Sequence, residues 1–475
     1  MEEQGTFGEI KKFNKVMNAG YVLVIAFGAM IGWGWVVSSG GWIQKAGTFG
    51  TVFGFIFGGI MIYFVGLTYA ELTTAMPQCG GEHVFSYRAF GFVGSFICTW
   101  AIILSYVGVV CFEACSLPTI VQYIFPQFLK GYLYTIAGFD VYFSWIFLAV
   151  LFAFLIMLIN IRGIKVAAIF QTILTVIIAA VGIILVVASV IKGSPANLEG
   201  QMMVGETLGG AVKNVLSVAV VAPFFLFGFD VLPQVAEEIN VPLKKLGSLL
   251  ILSIICAVSF YALVVFAVGY SMDMTEISDA MQGAGLVTAD AMAKIFNSEA
   301  MAKVLIIGGL CGIVTSWNSF MMGGSRAIYS MAESHMLPYI FAKLHPRYKT
   351  PVNALILVGV LSMLAPFFGR TMLVWISDTA SFACCLAYFM VSLSFIVLRK
   401  KEPNLKRPYK IKNYRLVGII AVIMSGVMVI MDVLPGTGCT LVLQEWMIAG
   451  GWTLLGVCFC VACKIKYKDK FGENI

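Results

Sequence analysis

Gly28-Ala29-Met30-Ile31-Gly32-Trp33-Gly34 lies in the middle of the chain's first long apolar run, residues 16–43. That run is long enough to cross a bilayer as a helix, which takes ~20 apolar residues. Glycines at 28, 32 and 34 weaken the helix at its centre, because glycine gives up the most backbone freedom on folding. A helix opened there exposes about four N–H and about four C=O groups at its new ends. Each unmet group in hydrocarbon costs on the order of several kcal/mol. Such a break survives only where it lines a cavity and something else, a solute for instance, supplies the partners. Gly28 and Gly32 also form a small-xxx-small pair of the kind that lets two helices approach closely. Taken alone, the segment leaves both readings open.

A second segment decides between them. Twelve apolar runs are expected to span, near residues 16–43, 49–76, 92–123, 142–160, 164–191, 209–236, 246–270, 304–331, 352–368, 371–398, 416–434 and 446–463. The sixth is interrupted at Pro223-Phe224-Phe225-Leu226-Phe227-Gly228-Phe229-Asp230. Spans one and six are thus both broken midway, five apart. A unit of five crossings has odd length, so its repeat enters the membrane from the opposite side. Paired broken helices in two inverted halves are the sequence pointer to a central binding site. The expectation is an all-α polytopic membrane protein, a single transport domain over 1–475. Its repeats are 16–191 and 209–398, and spans eleven and twelve (416–463) lie outside them.

Composition agrees with this. The 475 residues are 60% hydrophobic and 12% charged, which no soluble domain of this length shows. Met1-Glu2-Glu3-Gln4 lacks the pattern of a cleavable signal peptide, so the first span is expected to stay in the protein. Alternating the loops leaves seven of the 31 basic residues outside: Lys45, Lys130, Lys192, Lys213, Lys294, Lys303 and Arg370. The other 24, among them Lys11 and Lys12, fall on the inner side, which puts both termini in the cytoplasm of a cell-membrane protein. The basic run from Arg399 to Arg415 reads as an inner loop beside anionic lipid, not a nucleic-acid patch. Twelve cysteines, most of them within spans, make no disulfide scaffold. His83, His335 and His345 fall in expected inner loops and form no ligand set. Neither a metal, a cofactor nor enzyme chemistry is expected.

Direction along the two broken spans brings two helix N-termini and two C-termini to one cavity. Free N–H groups near Gly32, Trp33 and Gly34 suit a carboxylate. Free carbonyls near Ala29 and Met30, and over residues 224–227, suit an ammonium. Those two poles match an amino-acid zwitterion, and a plain amine using the carbonyl pole alone fits as well.

The sequence resembles the amino acid–polyamine–organocation (APC) permeases along nearly its whole length. The Gly-x-x-x-Gly-x-Gly break of span one, Tyr69-x-Glu71-Leu72 and the Gly80-Gly81 loop with Tyr87 and Arg88 carry the likeness. So do Asn160-x-Arg162-Gly163, Gly228-Phe229-Asp230 and Glu237-Glu238-Ile239-Asn240-x-Pro242. Gly324-Ser325-Arg326-x-x-Tyr329 with Leu337-Pro338, residues 345–354 and Arg407-Pro408-Tyr409 follow in order. The resemblance implies the LeuT-type inverted-repeat fold, alternating access, and a substrate held between spans one, three, six, eight and ten. By position that means Ala29, Met30, Ile31, Gly32, Trp33, Gly34, Ser105, Phe224, Phe225, Phe227, Gly228 and Asp230, with Phe224 closing from outside. Departures are the indole of Trp33 where a small residue is common, with Trp35 beside it, span five without a lysine, and Glu333-Ser334-His335 in place of Arg-Asp-Gly. An amine, polyamine or other organocation substrate remains an alternative, as does a nutrient sensor on this fold. The stretch 130–140 holds no cysteine, so no disulfide-linked heavy chain is expected.

Acids at membrane depth are Glu71, Glu113, Asp230, Asp378 and Asp432. A charge at a helix centre costs ~2.5–3.5 kcal/mol on insertion scales, so each needs a reason. For coupling to H+ or Na+ the sequence offers Asp230, which also suits a capping role, then Glu113. Glu71 and Asp378 read as structurally paired. Thr315 and Ser316 in span eight stand where sodium-coupled relatives of the fold bind their ion, though helix hydroxyls also bond their own backbone.

Overall fold

The first apolar run breaks where its glycines predict. In the computed structural model, which describes residues 13–282, 285–435 and 440–472 (the side chains of 370–373 and 469 apart), helix α1 spans Ala19–Met30. Asn18 starts it, its side-chain oxygen accepting from the Tyr21 amide at 3.0 Å. Residues 31–33 are not helical, and the chain resumes as α2 (Gly34–Val37) and α3 (Ser39–Ala46). Lys11, Lys12 and the Arg370 side chain, counted above for sidedness, lie outside the described residues.

Helices α4 (Thr48–Ala75), α5 (Glu82–Ile124), α6 (Phe143–Ile161) and α7 (Ile164–Lys192) follow. A short antiparallel hairpin, β1 (Tyr132–Ile136) with β2 (Phe139–Tyr142), joins α5 to α6. The second half opens with α8 (Leu208–Val221), capped by the Thr207 hydroxyl accepting from Gly210 N at 3.1 Å. Pro223 then sits in a 3₁₀ turn, Ala222–Leu226, and after an irregular stretch α9 covers only Val231–Gln234. Next come α10 (Leu243–Ser271), α11 (Met274–Gln282), α12 (Val287–Phe296) and α13 (Glu299–Glu333). The chain closes with α14 (Val352–Leu364), α15 (Gly369–Lys401), α16 (Tyr414–Val433) and α17 (Leu443–Tyr467).

Ten helical stretches are long and apolar enough to cross a membrane, with Leu208–Gln234 taken as one, and Ala19–Met30 and Val352–Phe368 are shorter apolar helices. The protein is an all-helical polytopic membrane protein. Its polarity is turned inside out: on α7, Ile173, Val176 and Ile183 are each more than half exposed, as a lipid-facing row should be. Inward, Gln171 of the same helix is buried and accepts from Asn318 at 2.8 Å, which accepts in turn from Asn160 at 2.8 Å.

Two boundaries depart from the sequence reading. The helix of span three starts at Glu82, ten residues before expected, and bends at Gly91, whose φ is +75°. Tertiary partners fold this polar segment inward: His83 bonds Ser334 at 2.9 Å and Ser95 at 2.7 Å and is buried, not looped out. The acidic loop after span seven holds α11 and α12, and Thr288 of α12 bonds Ser39 at 2.6 Å and Trp35 O at 2.9 Å. The basic run 399–415 is also not all lipid-facing. Arg399 and Arg407 turn in to Glu71, at 2.6 and 3.1 Å, because that buried carboxylate needs a counter-charge. Glu71 is structurally paired, as read.

Candidate functional site at the paired helix breaks

The two interruptions touch. Gly228 has φ +131°, and a Cβ there would stand 2.7 Å from Ala29 Cβ and 2.8 Å from the Ala29 carbonyl carbon. Only glycine fits a backbone so placed. A Cβ on Gly34 would overlap the Phe225 ring, so the first break also receives the aromatic turn of the second. Gly312 of α13 presses on the same point: a Cβ there would lie 2.6 Å from Gly32 O and 2.9 Å from Ile31 O. The Tyr261 hydroxyl of α10 donates to Met30 O at 3.3 Å. Among the described residues no backbone carbonyl accepts from the amides of Gly32, Trp33 or Gly34. The break therefore keeps open N–H groups while part of its carbonyl side is met from within.

Against these breaks lies a cavity of about 310 Å³. Ala29, Met30, Gly32, Trp33, Gly34, Ser105, Phe224, Phe225 and Phe227, all named from sequence, line it, as do Glu113 and Ser316. Ile31, Gly228, Asp230 and Thr315 stand behind the wall. Trp33 both lines the cavity and packs on α13, where a Cβ at Gly309 would overlap its ring. Sequence reasoning missed Tyr261 from α10, and Val109, Phe112 and Phe320 on helices it had named. Phe112 was within reach as the neighbour of Glu113; a lone tyrosine on an apolar helix carries no such signal. Phe224, 36% exposed, stands edge-on to Phe225 and Phe227 between this cavity and a second of about 380 Å³. Both cavities share Phe224, Phe225, Phe227, Asp378 and Ser381, and the second reaches Asp432 and Glu445. Asp378, expected to be structurally paired, lies beside the carboxyl of Glu445.

The acids differ sharply in their surroundings. Asp230 is fully buried; its Oδ1 accepts from Gly228 N at 2.9 Å and from the Tyr388 hydroxyl at 2.7 Å. Tyr106 donates to Asp230 O at 3.0 Å. Those contacts fix the second break. Glu113 is 4% exposed, shares the cavity wall with Ser316, and its Oε2 has no hydrogen-bond partner among the described residues. Thr315 Oγ1 donates to Gly312 O at 2.9 Å, so adjacent hydroxyls on α13 diverge, one to its own backbone and one to the cavity.

On the face where the described chain begins and ends, with Phe13 packed on Tyr329 and Gly472 N donating to Ser334 O, a layer of buried polar contacts follows the second break. Arg326 and Glu238, both buried, pair at 3.0 Å, and Val16 and Met17 donate their amides to Glu238 O. Burial pushes the Glu238 carboxyl above its ordinary range, against the Arg326 guanidinium, which pulls it down. Gln234 donates to Glu82 deeper in the same layer. Phe224 and the second cavity lie on the opposite side of the breaks.

Residues 21–458 match the Amino acid permease family. Among characterised relatives, the methylthioribose transporter of Bacillus subtilis (strain 168) is 24% identical over 86% of this chain and 87% of its own. The branched-chain amino acid permease BcaP of the same organism is 25% identical, covering 88% of each chain. Its aspartate-proton symporter is 25% identical over 90% of this chain and 80% of its own.

Proposed function

From the premise that the chain belongs to the amino acid permease family, we propose that it is a secondary transporter moving an amino acid or related amine by alternating access. It is not an enzyme. Family membership supports a small solute, most often of amino-acid type, while relatives at similar identity are named for methylthioribose, branched-chain amino acids and aspartate. Identity therefore does not select among substrates; the walls of the cavity must.

One observation carries the reading: two helices broken at membrane depth meet at Gly228 and Ala29 beside a cavity onto which unpaired peptide groups open. In this proposal α1 with α2–α3, and α8 with α9, are each a single discontinuous crossing, and Val352–Phe368 is a short one. That gives twelve crossings in two inverted sets of five plus α16 and α17. Ala29, Met30, Gly32, Trp33, Gly34, Ser105, Phe225 and Phe227 bind the solute, Phe224 gates it, and Ile31, Gly228 and Asp230 hold the breaks in place. The termini face the cytoplasm of the cell membrane, and the closed layer at Arg326–Glu238 makes the conformation one shut to the inside. Coupling to an ion and exchange both fit; Glu113 and Ser316 face the cavity and are the better-placed coupling groups, since Thr315 is spent on Gly312.

Purified protein in liposomes preloaded with unlabelled amino acids should accumulate the labelled solute transiently and saturably. Flux that neither saturates nor responds to preloading would mean a channel and overturn the reading.

A further inference from the structure

The charge of the transported solute can be read from the cavity, on the premise of the transport reading above. Glu113 reaches in from α5 with Oε2 unpartnered, and a Cβ built on Gly32 would stand 3.3 Å from its Oε1. The carboxyl thus rests directly against the opened turn of span one. Ser316 of α13 and Tyr261 of α10 line the cavity with it. Among the described residues no lysine, arginine or histidine lines the cavity. Asp378, the other acid on the wall, lies beside Glu445 and adds charge of the same sign. A carboxylate left so in an apolar pocket is costly unless a cation joins it. The remaining wall is largely aromatic, with Trp33, Phe112, Phe225, Phe227 and Phe320 among its rings. Rings of this kind attract an organic cation and cover an apolar body. A carboxylate on the solute, by contrast, meets backbone N–H groups at the break and neutral hydroxyls such as Ser105, with Glu113 beside the break in opposition.

We propose that Glu113 is the counter-ion of the transported solute and that the cavity takes a protonated primary amine with an apolar body, its α-carboxylate dispensable. The test uses the full chain in nanodiscs, with leucine and phenylalanine set against isopentylamine and phenethylamine in calorimetric titrations. Each amine should bind at least as tightly as its parent amino acid. Glu113→Gln should weaken all four by ~30-fold or more, the usual loss when one partner of a buried charge pair is removed. Glu113→Asp keeps the charge and should preserve the ranking of amine over amino acid, which decides the matter if the glutamine variant is not monodisperse. Amines that fail to bind while leucine or phenylalanine binds and exchanges would overturn the proposal and leave the transport reading standing. Unaltered affinity in Glu113→Gln would do the same. Failure of all four to bind the wild-type protein would overturn the proposal as well, while the transport reading stands or falls on the liposome counterflow described above.

Discussion

Glycines at 32 and 228 flank the same contact, yet they should respond differently to substitution. At Gly228 an added methyl meets Ala29 backbone and the φ of +131° disfavours any L side chain. Crowding of that kind costs roughly 1–3 kcal/mol, with backbone strain added. Gly228→Ala should therefore lower the thermal midpoint and uptake together. At Gly32, on the cavity wall, an added Cβ meets only Glu113 Oε1, at 3.3 Å, and fits once that carboxyl gives by a few tenths of an ångström. Gly32→Leu should insert and melt close to wild type while abolishing uptake. Thermal denaturation and uptake on the same preparations distinguish the two; a Gly32→Leu protein that still transports would remove the solute from the break.

At the scale of elements, the breaks were legible because glycine and proline carry their backbone preferences in the sequence. Gly32, Pro223 and Gly228 lie at the two interruptions and Gly34 opens the resumed helix, whereas Gly28 stays inside α1. What could not be read was which side chains of continuous helices turn to the gap. Tyr261 reaches it from α10 only through its bond to Met30 O, a relation between residues 231 positions apart. The helical turn at Glu82–Phe90 escaped for a similar reason, since His83 is held by Ser334 at the far end of α13. Trp33 shows both limits. Its departure from the small residues common in this family was visible, while its seat on Gly309 was not. Because the indole fills space between α2 and α13 at the cavity wall, Trp33→Ser should enlarge the pocket there. Competition profiles should then shift toward bulkier side chains, and an unchanged profile would mean that the ring touches no solute.

For the whole molecule the question is what holds one face shut while the opposite side of the cavity is bounded by a half-exposed phenylalanine. Arg326 and Glu238 are 1% and 2% exposed at the side chain, and their pairing ties α13 to the segment after the second break. The backbone of Val16 and Met17 docks on the same Glu238, so the N-terminal segment closes with them. Removing one partner of a buried pair strands the other, at about 3–5 kcal/mol. The stranded guanidinium regains solvation only if this face opens, so Glu238→Gln should move the population toward a state open on the terminal side. Cys79 reports on it: the thiol is buried, with Sγ 3.9 Å from Arg326 O. Its alkylation by a small maleimide, normalised to the same protein labelled after denaturation and mapped by mass spectrometry, should rise tenfold or more, since ~1.4 kcal/mol of the penalty suffices for that. Added solute should reverse part of the rise if it binds the closed form better, because a ligand moves such an equilibrium only by its differential affinity. Cys79 labelling unchanged in a folded Glu238→Gln protein would mean that this ion pair does not hold the terminal face, and the barrier would have to lie deeper, at Gln234 and Glu82.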